Sequence, residues 1–144
     1  MTIRDMHDNV RTKTGIKAGA FASAAGQAGK IIDRQGYGGV EFVFAYGEIT
    51  SSAATIPVVI KEGLVTTTLT SVADADLLGT ELLAGIAAGA RTSGTGKNVT
   101  KRIGYIGQKR YVQASLGAAT TSAAVPVSIT AILHSPANAP QTNP

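Results

Sequence analysis

The stretch "VPVSITAILHS", residues 125–135, decides the fold class. Val125, Val127, Ile129, Ala131 and Leu133 recur at every second position. A period of two puts them all on one face of a strand, and no helix would keep that set together. The strand is followed by "PANAPQTNP", whose prolines at 136, 140 and 144 suit neither a helix nor a central sheet. A core strand ending in a Pro-rich tail, residues 135–144, is therefore expected.

The same period recurs upstream. "KIID" and "RQGYGG" read as a short strand and a glycine turn, and "VEFVFAYGEIT" as a strand with Val40, Phe42 and Phe44 on one face. Val43 and Tyr46 are assigned to the other face, so that this strand is covered on both sides. Pro57 opens "IPVVIKEG", where its missing donor does least harm, and Gly63 is taken to separate this strand from "LVTTTLT". In "KRIGYIGQKRYVQASL", residues 101–116, Ile103 and Tyr105 share one face, and Val112, Ala114 and Leu116 share another beyond a "GQK" turn. This reads as a β-hairpin.

Two regions lack a clear period. Residues 1–29 include the small-residue tract "GIKAGAFASAAGQAG", which offers little side-chain area to anchor against a core, and are expected to form an extended N-terminal arm. In "SVADADLLGTELLAGIAAG", Leu77, Leu78, Leu82 and Leu83 have helical spacing, but Gly79, Gly85 and Gly89 each cost a helix about 1 kcal/mol. One helical turn, or a loop returning to a strand, is expected there.

Composition agrees with an all-β chain. There are 12 Ile and 11 Val against 8 Leu, and β-branched side chains suit a pleated surface. Alanine supplies 23 of the 144 residues, so the core should be thin and built mostly of Ile and Val. This length fits one domain. About seven or eight short strands with glycine-rich connections predict a jelly-roll-like β-sandwich over residues 30–134, flanked by arms.

The sequence has no cysteine, which excludes disulfides and Cys-ligated metals. The start carries Asp5 and Asp8 without a signal-peptide core, and no uncharged apolar run is long enough to span a bilayer. A soluble protein made in a cytoplasm, with no membrane contact, is expected.

Candidate chemistry is sparse. His7 in "DMHD" has no second histidine nearby, and His134 closes a strand; neither reads as a ligand or general base. Asp74 and Asp76 lack the further oxygen ligands of a calcium loop and read as turn residues. "GTGK" at 94–97 lacks the spacing of a phosphate loop, and Asn98 stands where a Ser or Thr should hold magnesium. No catalytic residue, metal or cofactor is expected, and the chain is not read as an enzyme.

Charge is distributed unevenly. Residues 1–81 hold 7 Lys/Arg and all 9 Asp/Glu, whereas residues 82–144 hold 6 Lys/Arg and no acid. Those six lie between Arg91 and Arg110. Such a block speeds encounter with an anionic partner. Three readings compete for it: solvated strand ends that discourage edge pairing, a protein interface, and a nucleic-acid platform on the 97–116 hairpin with Tyr105 and Tyr111 as stacking surfaces.

Five segments taken together resemble a known family. "MTIRDMHDN", "GYGGVEFVFAYGEIT", "VADADLLGT", "KRIGYIGQKRYV" and "AILHSPANAP" are similar, in that order, to the capsid cementing, or decoration, proteins of tailed bacteriophages, of the jelly-roll type. The resemblance implies a structural virion protein on the outer capsid surface, present in the host cytoplasm during assembly. It implies binding to the major capsid protein as a homodimer that bridges capsomers, without direct nucleic-acid contact. The interface candidates are Arg4, Asp5, Arg91, Lys101, Arg102, Lys109, Arg110 and Tyr111. A basic nucleic-acid-binding module and a carbohydrate-binding virion protein are the alternatives. The absence of tryptophan speaks against sugar stacking.

Overall fold

The computed structural model describes residues 6–22, 24–50, 53–86, 98–121 and 123–140. Nine strands are described: β1 (Val10–Phe21), β2 (Ile31–Asp33), β3 (Tyr37–Tyr46), β4 (Val58–Val65), β5 (Thr68–Ser71), β6 (Leu77–Leu78), β7 (Val99–Tyr105), β8 (Tyr111–Leu116) and β9 (Val125–Pro136). One short helix, α1 (Glu81–Ala84), and two 3-10 turns, His7–Asn9 and Asp74–Asp76, complete the described elements.

The strands form two sheets, ordered β1-β9-β3-β7-β6 and β2-β8-β4-β5, with every pairing antiparallel. Setting aside the two-residue β6, successive strands of the remaining eight switch sheets at every step except the β4–β5 hairpin, as in a jelly roll. The β-sandwich expected from period and composition is the observed fold.

Its core lies between the sheets. One sheet contributes Val40, Phe42, Phe44, Tyr46, Ile103, Tyr105, Ile129 and Leu133; the other contributes Ile32, Val58, Ile60, Val112, Ala114 and Leu116. Ile and Val dominate the buried set, with Ala54, Ala84, Ala114 and Ala131 filling the narrow places. Residues 125–133 alternate as expected, buried at the odd positions. Tyr46 keeps the parity of Val40, Phe42 and Phe44 and is buried with them, not on the opposite face. Its hydroxyl donates to Ala84 O at 2.9 Å and ties α1 to the sandwich.

Three expectations are corrected. Residues 10–21 are not an arm: β1 runs along β9 from Val10↔His134 to Phe21↔Val125 and buries Ile16 and Phe21. Register shifts on either side of Ile16 interrupt its alternation, and Arg11 and Lys13 take inward register positions opposite Leu133 and Ala131. Gly63 does not divide two strands; it lies inside β4, and the chain turns at Thr66 and Thr67. A Cβ on Gly63 would stand 2.4 Å from Thr68 O, so the close β4–β5 approach needs a glycine there.

The third correction matters most for function. Residues 101–116 are not a hairpin: β7 pairs with β3 and β6, whereas β8 pairs with β2 and β4 in the opposite sheet. The segment 106–110 is an inter-sheet crossover. Alternation shows which side chains face inward, and it is the same for a hairpin and for two strands in facing sheets.

Candidate interaction surface

The crossover is fixed by a buried polar latch. Tyr105, at the end of β7, points between the sheets and is fully buried. Its hydroxyl donates to Glu62 Oε2 on β4 of the other sheet and accepts from the Lys109 N–H at 3.0 Å. Burial, reinforced by Glu62, pushes the Tyr105 phenol up to about 12. Gly107 makes room for the ring, because a Cβ there would lie 2.5 Å from the Tyr105 hydroxyl oxygen.

Arg34, just after β2, closes the latch from the other side. Its Nε donates to Lys109 O at 2.6 Å, its Nη2 to Gly107 O at 2.5 Å and its Nη1 to Tyr37 O at 3.1 Å. The same guanidinium lies 5.4 Å from the Tyr105 ring centroid. One planar fork thus binds carbonyls of the crossover and of β3 and stacks on an aromatic face, a combination lysine could not supply.

Outside the latch is a charged corner built from β1, β2 and the start of β8. Arg110 donates from Nε and Nη2 to the two Asp33 carboxylate oxygens at 3.0 and 2.7 Å. These hydrogen bonds hold the Asp33 carboxyl below its ordinary value and raise the Arg110 guanidinium. Arg110 also lies 4.9 Å from the Tyr111 ring centroid. Lys13 Nζ reaches from β1 in one sheet to Asp33 O in the other at 3.1 Å. Arg11 shares the inward parity of Lys13, and its Nε is buried without a hydrogen-bond partner.

The sequence-derived candidates therefore separate. Lys109, Arg110 and Tyr111 sit together at this corner. Lys101 donates to Gly85 O at 2.6 Å beyond α1. Arg102, on β7 with its side chain 81% exposed, stands 3.7 Å from Glu41, a weak surface pair. Arg4, Asp5 and Arg91 lie outside the described residues. Two cations that no local acid answers in sequence thus meet acids from the N-terminal half, Asp33 and Glu41. Tyr105 is buried and the Tyr111 ring carries Arg110, so neither is an open stacking platform for bases.

Arg11, Lys13, Asp33, Arg34 and Glu62 are the site residues that sequence reading missed. Glu62 left a signal: in "VVIKEG" it continues the inward register of Val58 and Ile60, and an acid in an apolar register needs a partner. Arg34 left none, since the carbonyls by which it holds the crossover, Gly107 O and Lys109 O, are distant in sequence.

A second surface is apolar. Leu78, Leu82 and Leu83 are exposed, and a cleft of about 410 Å³ beside α1 is lined by Ile56, Pro57, Val58, Leu82 and Ile86. Among the described residues no group of three His, Cys, Asp or Glu could hold a metal, and no helix is long and apolar enough to cross a membrane.

No protein-family model matches the chain, and no curated protein matches it. Among solved structures, it is similar to the VP2 subviral particle of infectious bursal disease virus, at TM-score 0.31 and 12% identity over 88% of this chain and 41% of that one. T=1 particles derived from infectious bursal virus give TM-score 0.23 and 13% identity over 94% of this chain and 44% of that one. The chain spans less than half the length of either. The fold assignment rests on the strand order rather than on these likenesses. What fold and site define is a jelly-roll sandwich with a latched inter-sheet crossover and a mixed-charge corner rich in cations.

Proposed function

We propose that the protein is a structural virion component that binds the outside of a tailed-phage capsid, cementing neighbouring capsomers through the major capsid protein. The carrying observation is the jelly-roll strand order, β1-β9-β3-β7 facing β2-β8-β4-β5, in a chain whose segments resemble cement proteins in sequence order. That fold also hosts lectins and cupins, so the reading stands on fold and resemblance together. On this reading the protein acts as a homodimer across capsomer boundaries, carries out no reaction and gains avidity from many copies on one shell.

The nucleic-acid reading loses its geometric support. Its platform was a hairpin with two free tyrosines; residues 101–116 cross between sheets, and both tyrosine rings are engaged.

Co-sedimentation with assembled shells tests the proposal. Saturation at a fixed ratio to the major capsid protein is expected. Failure to bind shells at any concentration that saturates a known decoration protein would overturn it.

A further inference from the structure

The corner where β1 faces β2 is closed unusually for a sandwich. Inward positions near a sheet edge are commonly apolar, yet here Arg11 and Lys13 occupy them, opposite Leu133 and Ala131. Their long stems can cover the flank of the core while their charged heads reach the opening between the sheets. Lys13 reaches the far sheet, donating to Asp33 O at 3.1 Å. Arg110, at the end of the crossover just before β8, reaches the Asp33 carboxylate, and Lys109 precedes it. Asp33 is thus shared: its carboxylate by Arg110, its carbonyl by Lys13.

Arg11 remains incompletely paired, because its Nε is buried without a hydrogen-bond partner. A buried donor left unpaired is costly, and a carboxylate that drew the guanidinium outward would satisfy Nε and Nη together as a fork.

We propose that Arg11, Lys13 and Arg110 form a docking corner for an acidic polypeptide segment, which supplies the carboxylate Arg11 lacks. This rests on the function proposed above and names the chemistry of the partner. A protein carboxylate suits the corner better than a nucleic acid for two reasons. Asp33 sits among the cations and repels a continuous polyanion, whereas discrete side-chain carboxylates can pass to either side of it. The nearby aromatic faces are also engaged, by Arg34 and by Arg110.

The probe is a fluorescent octapeptide of alternating Glu and Ser, titrated into the full chain at low salt, beside an oligothymidylate of equal charge. The double variant Arg11→Gln/Lys13→Gln is expected to weaken peptide binding at least tenfold. Arg102→Gln, which removes a cation from the exposed end of another pair, should change it less than twofold. Circular dichroism on each variant separates lost binding from lost folding, and Arg11→Lys serves as a second variant that keeps charge but lacks the fork. Undiminished peptide binding in the double variant overturns the proposal, as does an equal loss in Arg102→Gln or tighter binding of the oligothymidylate. Peptide binding without shell binding would leave the corner standing and remove the capsid reading. Shell binding unaffected by the double variant would do the reverse.

Discussion

Tyr105 is the residue on which the crossover turns. Its hydroxyl serves Glu62 and the Lys109 N–H at once, so Tyr105→Phe leaves a buried carboxylate and a backbone donor without their partner. A loss of about 1–3 kcal/mol is expected, read as a lower urea midpoint at unchanged slope. Replacing both partners, with Tyr105→Phe and Glu62→Leu together, should cost less than the two single changes added, because the buried carboxylate is then gone. The same phenol sets an alkaline limit. Its value rises from 10.0 to about 12 on folding, so its contribution is complete below pH 10 and is lost as pH climbs through about 12. A pH titration of tyrosinate absorbance should show a late-ionising fraction in the wild type that Tyr105→Phe reduces, leaving the part due to Tyr46, whose phenol burial also pushes up.

At the acid end the sign is opposite. Arg110 lowers the Asp33 carboxyl, so this pair adds stability at neutral pH that fades as pH falls through the lowered value. Both partners are partly exposed, and the effect is small. Arg110→Gln should therefore flatten the acid limb of the stability profile slightly while leaving the alkaline limb intact, as thermal melts across pH would show.

At the scale of elements, β9 and β3 were legible because their inner positions are large and strictly alternate. β1 was not. Its inward positions include Arg11 and Lys13, its register shifts around Ile16, and its remaining residues are mostly small, so neither period nor hydrophobicity marks it. Nor could residues 101–116 reveal which sheet each strand joins, since partners are chosen by contacts far along the chain. Arg110 was a candidate from its charge, whereas Arg11 and Lys13 were hidden by their assignment to an arm. The corrected status of β1 has a measurable outcome. Ile16 and Phe21 each bury a side chain worth about 2 kcal/mol, and β9 relies on β1 for its outer hydrogen bonds. Deleting residues 1–21 should abolish the cooperative melt, whereas an arm could be removed without loss. Limited proteolysis of the intact chain should likewise spare residues 10–21.

For the whole molecule, the order of strands in space scrambles their order in sequence. The edge strand of one sheet, β1, is the first described strand, and its neighbour β9 is the last. Such pairing must await most of the chain, which places folding among the slower two-state topologies, on the order of milliseconds to seconds. It also makes the two arms of this sandwich unequal in kind: one long strand belongs to the core, while the Pro-rich segment begins only where β9 ends.

The pairing of Val10 with His134 brings the beginning and the end of the described sandwich to the same place. The fold is therefore nearly a closed loop of chain. A short flexible linker could join residues 140 and 6, and new termini could be opened between Thr66 and Thr67, on an exposed turn outside every strand. Such a circular permutant keeps all nine described strands whole. It should melt cooperatively, and it would move any fused reporter from the β1–β9 end to the β4–β5 tip, giving two separate vantage points on whichever face meets a partner.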